Sequence, residues 1–193
     1  MQLILVRHPQ SEVASGICYG SSDVAVAPHI LAAARAGLRA SLPPHLPLYT
    51  SPLSRCADLA SQLAHDLQAS QFTHDARLVE MDFGSWELRA WHDIDRGDID
   101  AWTLDLAHYR PGGGENVLAM ASRIASFLDE LLREQHAAVI IICHAGTIRL
   151  LSALQAGLPL AETALLAASS AHKIAYGAVV TLDFQRPIVA PAV

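Results

Sequence analysis

The sequence predicts an α/β fold of three layers, with a mainly parallel central sheet flanked by helices. Three observations point there. Apolar runs of strand length recur at residues 3–6, 46–50 and 137–143. Between and after them lie longer stretches whose apolar residues repeat at helical spacing. The clearest run, residues 137–143, is apolar on both faces, as a strand covered by helices on either side must be.

The first strand, residues 3–6, stops at Arg7-His8-Pro9, because Pro9 has no N–H with which to extend a ladder. An arginine and a histidine thus stand together at the carboxyl end of a strand, where open α/β sheets bind ligands. A guanidinium there can grip a phosphate with two parallel hydrogen bonds, and an imidazole can attack phosphorus. The same pair also serves as a plain strand cap, so alone it does not make a site.

A turn-rich loop around Gly20 to Asp23 leads to an alanine-rich helix over residues 31–42, with Pro28 in its first turn and Pro43-Pro44 breaking it. Residues 46–50 form the second strand. Ser51 is the expected N-cap and Pro52 the first residue of a helix running to about residue 68. Arg55 falls in its first turn, where a cation opposes the helix dipole unless an anion docks there. A solvated arginine would read the same way.

Residues 72–74 and 77–79 read as a short strand and its exit, and residues 80–87 are dense in acidic and aromatic groups. One or two helices are expected over residues 89–109. Asp93, Asp95, Asp98 and Asp100 there lack the order of a calcium loop and read as a solvated face. After the flexible turn at residues 111–114, Glu115 enters a helix over residues 116–135 with a stripe of Val117, Met120, Ile124, Phe127 and Leu131. A helix over residues 147–156 follows the strand ending at His144. Residues 171–176 and 178–184 are expected as two more strands around Gly177, and residues 186–193 as a loose tail. Residues 1–193 are expected to form one domain.

Composition narrows the function. The 52% hydrophobic content demands a folded core, and a net charge of −6 argues against non-specific nucleic-acid binding. Three cysteines without close spacing imply no disulfide framework and a reducing cytoplasm. No leader pattern and no apolar stretch of membrane-spanning length is present. The other histidines have no metal-ligand spacing, so neither metal nor cofactor is expected. The expectation is a soluble, cytoplasmic protein without nucleic-acid or membrane partners; its oligomeric state is open.

Two strand ends carry histidines, His8 and His144, and a third element brings Arg55. Such a cluster in a net-negative protein asks for a compact anion, and phosphate is the obvious one. Arg7-His8, Ser51-Pro52-Leu53-Ser54-Arg55, Glu80 ahead of Phe83-Gly84-Ser85-Trp86-Glu87, Gly113-Gly114-Glu115, and His144-Ala145-Gly146 with Ile148-Arg149 occur in that order. Together they resemble the histidine phosphatase superfamily, which includes the cofactor-dependent phosphoglycerate mutases. The nearest resemblance within it is to the α-ribazole phosphatases of cobalamin synthesis.

The resemblance implies a phosphoglycerate mutase-like fold and a small phosphorylated substrate. It makes His8 the nucleophile of a phosphohistidine intermediate. Arg7, Arg55 and His144 would hold the phosphoryl oxygens, and Glu80 would be the general acid and base, with Asp82 as its rival. Ser11 and Tyr19 join as phosphate- or substrate-side contacts, with Arg89 and Arg110 as further candidates. A phosphate pocket of this kind needs in-line positioning and cationic clamps, and protein cations suffice.

Two departures stand out. Pro9 replaces the family's usual glycine and removes an N–H that could contact phosphate, and Cys143 replaces a glycine or serine. The mutase branch carries longer insertions than this chain, which favours hydrolysis. Two other readings remain. Cys143 through Arg149 fits the cysteine, five residues, arginine pattern of cysteine-dependent phosphatases, though it leaves Arg7, His8, Arg55 and Glu80 without a task. Pro9 keeps open a phosphate-ligand binding protein without turnover. Trp86, Trp91 and Trp102 read as lid or core packing that could touch substrate.

Overall fold

The computed structural model describes residues 1–170 and 173–185. Strands β1 (Gln2–Arg7), β2 (Leu48–Thr50), β3 (Phe72–His74), β4 (Ala138–Cys143) and β5 (Val179–Asp183) form one sheet in the order β3-β2-β4-β1-β5. All pairings are parallel except that of β5 with β1. The chain therefore starts mid-sheet, builds outward through β2 and β3, and returns to insert β4 beside β1.

Alternation along the strands explains why they read as apolar throughout. Leu3 and Leu5 of β1, with Val139, Ile141 and Cys143 of β4, face one helical layer: α4 (Val117–Arg133), α5 (Ala145–Leu154) and α6 (Leu160–Ser169). Ile4, Val6, Ile140 and Ile142 face the other, made by α1 (Pro28–Ser41) and α2 (Ser54–Asp66). The α4 stripe is the largest single contributor, with Phe127 fully packed under Tyr49. Truncating Phe127 to alanine would cost about 3–5 kcal/mol through lost burial and the cavity left behind. A third, aromatic cluster joins Cys18, Trp86 and Ile94 to Phe83, Trp102 and Tyr109, the tryptophan Trp102 coming from α3 (Arg96–Leu104).

The elements depart from expectation in five places. The α2 helix begins at Ser54 rather than Pro52, and Ser51 is not its N-cap. Asp23 does the capping from the preceding loop, accepting from the Ser54 N–H at 2.7 Å. Residues 76–78 form a 3-10 turn capped by Asp75 in place of a strand exit. Residues 89–109 agree with the expected one or two helices, holding one short turn, Trp91–Asp93, and one helix, α3. Glu115 lies before α4, whose cap is Asn116, accepting from the Ala119 N–H at 2.8 Å.

The fourth departure is α6, which the expectation of β structure in the last third passed over. Its Leu160-Ala161-Glu162-Thr163-Ala164-Leu165-Leu166 run holds six strong helix formers beside Thr163 and follows Pro159, so local propensity already favoured it. Finally, residues 173–176 form no strand. Gly177, at φ +71°, turns the chain there, and its N–H donates to the carbonyls of Arg7 and His8 at the exit of β1. Residues 171–172 of that expected strand, and the expected tail at 186–193, lie outside the described residues.

Candidate active site

Topology brings the candidates together. Arg7 of β1 pairs in register with Cys143 of β4, so His8 and His144 are each the first residue beyond adjacent parallel strands. The His8 N–H donates to the Cys143 carbonyl at 3.0 Å, and the Ser51 N–H to the Ile142 carbonyl at 3.1 Å. Three neighbouring strand exits thus present Ser51, His144 and His8 side by side. This is the carboxyl edge where the sheet order reverses.

His8 is buried, and its Nδ1 lies 2.7 Å from the Pro9 carbonyl oxygen. A carbonyl can only accept, so Nδ1 carries the proton and Nε2 holds the lone pair. Burial, with the neighbouring charges of Arg55 and Arg7, pushes the imidazole from 6.5 down to about 3, against the pull of the Pro9 bond. His8 is therefore neutral. Pro9 contributes through its carbonyl, and the N–H it lacks is not part of this arrangement.

His144 is fully buried behind His8, and its Nε2 pairs with Ser51 Oγ at 2.8 Å. That bond, rather than a helix cap, is what Ser51 serves. Burial, then the charge of Arg55, holds His144 well below its ordinary value.

Arg55 is 1% exposed in the first turn of α2 and has no carboxylate partner among the described residues. Nη1 donates to the Ser22 carbonyl at 2.7 Å and Nη2 to the Gly20 carbonyl, while its buried Nε has no partner among the described residues. The loop that supplies those carbonyls is itself gathered by Glu87, which accepts the N–H groups of Gly20 and Ser21 at 2.9 and 3.0 Å, and those of Ser22 and Phe83. Burial pushes the Glu87 carboxyl up, but bonds from Ser22, Gly20 and Phe83 outweigh it and hold the group below its ordinary value. Arg7 lies over the Tyr176 ring, 3.8 Å from its centroid, and donates to the Ile174 carbonyl.

Glu80 accepts the Gly146 N–H at 3.0 Å and the Met81 N–H at 3.1 Å. A Cβ at Gly146 would sit 2.2 Å from Glu80 Oε1, so this close approach requires glycine. The segment ahead of Glu80 is tied down by Arg123, whose Nη1 donates to the carbonyls of Arg77 and Val79 while its fork pairs with Glu115.

Arg7, His8, Tyr19, Arg55 and Glu80 all line one cleft of about 440 Å³. Farther out its walls are apolar and aromatic: Met81, Phe83, Trp91, Trp102, Val117 and Met120. Trp91 and Trp102 stack at 6° with centroids 6.1 Å apart, and Phe83 meets both edge-on. Trp86 is core packing, 2% exposed.

Several expected residues fall elsewhere. Asp82 accepts the Gly84 N–H and, with Arg110, lines a neighbouring cavity. Arg110 bonds the Gly114 carbonyl, and Arg89 bonds that of Asp93. Ser11 is buried and reaches the cleft only through Tyr19, to whose hydroxyl it donates at 2.9 Å. The Cys143 thiol is packed in the core, and burial raises it far above its ordinary value, so it offers no thiolate for a cysteine-phosphatase mechanism. Tyr176, which lines the same cleft, is a neighbour that sequence reasoning missed: a tyrosine beside Gly177 in an irregular segment gives no local signal.

No group of His, Cys, Asp and Glu among the described residues could hold a metal ion, and no helix there is long and apolar enough to cross a membrane. The sequence matches the histidine phosphatase superfamily (branch 1) over residues 3–185. The adenosylcobalamin/alpha-ribazole phosphatase of Escherichia coli (strain K12) is 32% identical over 116 residues, a match spanning 50% of this chain and 56% of that protein. A glucosyl-3-phosphoglycerate phosphatase of Mycolicibacterium vanbaalenii is 29% identical over 172 residues, 82% of this chain and 75% of that one. Among solved structures, the alpha-ribazole phosphatase from Shigella flexneri has a TM-score of 0.79 at 26% identity, covering 96% of this chain and 92% of its own. With the family matched over nearly its whole length and relatives that are phosphatases by name, the chain belongs to the histidine phosphatase superfamily, branch 1, and is an enzyme of the phosphatase kind.

Proposed function

We propose that the chain is a phosphomonoesterase working through a phosphohistidine on His8. The observation that carries this is the Pro9 carbonyl bond to His8 Nδ1, which leaves Nε2 as an unprotonated nucleophile in a cleft lined by Arg7, Arg55, Arg149 and the carboxylate Glu80. Nε2 attacks phosphorus, the ester P–O bond breaks, and the leaving oxygen takes a proton from Glu80. Water then attacks the phosphohistidine, gives its proton to the Glu80 carboxylate, and the P–N bond breaks. Arg7 and Arg55 neutralise the phosphoryl oxygens, and His144 keeps an uncharged, hydrogen-bonded ring beside the nucleophile. Tyr19, with Ser11 behind it, walls the Arg55 side of the pocket.

Within this activity, α-ribazole 5′-phosphate is the substrate we favour. The Phe83, Trp91 and Trp102 wall suits a flat aromatic body attached to the phosphate, and two of the relatives named above are alpha-ribazole phosphatases. The partner is a small phosphorylated metabolite. Three free, buried cysteines support a cytoplasmic setting.

The test is a denaturing alkaline quench of the protein turning over a ³²P-labelled aryl phosphate in EDTA. An acid-labile, alkali-stable label that disappears in His8→Ala is expected. No turnover between pH 5 and pH 8 would turn the reading toward binding alone. A panel of α-ribazole 5′-phosphate, phosphoserine and glucosyl-3-phosphoglycerate then ranks the substrates by kcat/KM.

A further inference from the structure

We infer that Tyr176 is a positioning residue of the phosphoryl pocket, its ring holding the Arg7 guanidinium and walling the His8 imidazole while its hydroxyl is tied to Tyr19. The inference rests on the activity proposed above and adds to it a residue outside every motif of the sequence. Arg7 and Arg55, two of the arginines that line the cleft, each have a tyrosine ring beside them. Arg7 Cζ lies 3.8 Å from the centroid of Tyr176, and Arg55 Cζ lies 5.4 Å from that of Tyr19. The two tyrosine hydroxyls are 3.0 Å apart. Because Tyr19 already accepts from Ser11, its own proton is available for Tyr176. One hydrogen bond therefore links the two arginine–tyrosine pairs across the pocket and helps set the separation of the guanidiniums.

The place of the ring is dictated from below. The Arg7 N–H donates to the Ala178 carbonyl at 3.0 Å, and the Gly177 N–H to the carbonyls of Arg7 and His8 at 3.1 and 3.3 Å. Arg7 in turn donates to the Ile174 carbonyl. The segment that carries Tyr176 is thus bolted to the two residues it serves. Its ring centroid lies 5.6 Å from that of His8. Tyr176 remains 41% exposed, so burial of its own surface does not account for its position. A cation over a ring face is held in orientation, and among the described residues no carboxylate pairs with Arg7 to hold it otherwise.

The experiment compares Tyr176→Leu, Tyr176→Phe and the unaltered chain. It measures binding of inorganic phosphate by calorimetry, kcat and KM on p-nitrophenyl phosphate, and melting temperature. For Tyr176→Leu, phosphate binding about tenfold weaker and a similar or larger fall in kcat/KM are expected, with little change in melting temperature. Tyr176→Phe, which keeps the ring, is expected within about threefold of the unaltered chain, since an exposed hydroxyl pair contributes little. Unchanged phosphate binding in Tyr176→Leu overturns the inference while leaving the phosphatase reading intact. So does a loss in Tyr176→Phe as large as in Tyr176→Leu, because the ring would then not be the cause. An unaltered chain that neither binds phosphate nor turns over the ester overturns both.

Discussion

The imidazole rings of His8 and His144 lie 5.2 Å apart between centroids and are inclined at 61°. Two such rings beside two arginines must both be neutral, and the physical cause is burial in each case. This makes the fold sensitive to acid with a definite sign. Folded His8 titrates near 3 and His144 also well below 6.5, whereas in the unfolded chain both protonate near 6.5. Their neutral burial costs nothing above pH 6.5. As pH falls below 6.5 the unfolded state binds protons that the folded state refuses, and stability drops by about 1.4 kcal/mol per pH unit for each group. Urea midpoints in phosphate-free buffer between pH 7.5 and pH 5 measure this. His8→Asn should remove about half of the slope, and an unchanged slope would count against the depressed histidine.

Glu80 and Asp82 are two residues apart in sequence, yet only Glu80 lines the cleft that holds His8. Glu80→Gln is expected to lower kcat by about 10²–10⁴ for alkyl phosphates, whose leaving oxygens need a proton. For p-nitrophenyl phosphate, whose leaving group departs as the anion, phosphorylation of His8 should suffer far less. Asp82→Asn should stay within about threefold on both, the customary size of an uninvolved surface change. A rate series over leaving groups separates the two carboxyls.

How much of this was legible depended on whether a signal was local. The strands β1 and β4 were plain because four-residue and longer apolar runs ending in histidine have few other readings, and their pairing followed once both were parallel. Arg55 could be suspected because a cation in the first turn of a helix is out of place there. Ser51 misled, since a serine before a proline is the ordinary mark of an N-cap and nothing local reveals that its hydroxyl turns to His144. Tyr176 was invisible, because its meaning comes from Arg7, far away in the chain. Glu87 was visible as part of a motif, but its six donors in two loops were not.

Gly146 and Glu80 make a prediction that separates positioning from stability. A methyl group at position 146 would meet Glu80 Oε1 at 2.2 Å, and the far end of a flexible side chain can swing away at little cost to the fold. Gly146→Ala is therefore expected to leave the melting temperature nearly unchanged while displacing the carboxyl by about 1 Å or more. Such a misplacement is worth about 10²-fold in kcat. If Gly146→Ala keeps full activity on alkyl phosphates, Glu80 is not the proton donor.

Cys143 provides a control on mechanism. Its thiol is wholly buried between the helical layer and the sheet, with burial and Cys56 both opposing ionisation. Cys143→Ala should cost about 1 kcal/mol of stability from the small void and leave kcat within about threefold. Iodoacetamide should likewise spare the native enzyme. Loss of turnover in Cys143→Ala with His8→Ala still active would reverse the assignment of the nucleophile.

Glu87 stands two steps from the phosphate and should still control it. Its carboxylate collects the N–H groups of Gly20, Ser21, Ser22 and Phe83 and the Ser22 hydroxyl. The carbonyls of Gly20 and Ser22, facing the other way, hold the two Nη atoms of Arg55. Removing the acceptor in Glu87→Ala leaves several half-buried donors to find water, at about 2–4 kcal/mol. It also frees the loop that aims Arg55, so phosphate binding should weaken by about tenfold or more, as for loss of a charge-assisted contact. Glu87→Gln keeps one acceptor oxygen and should fall between. Urea midpoints and phosphate calorimetry on the same samples test the link: a stability loss without an affinity loss would mean that Arg55 is held by α2 alone.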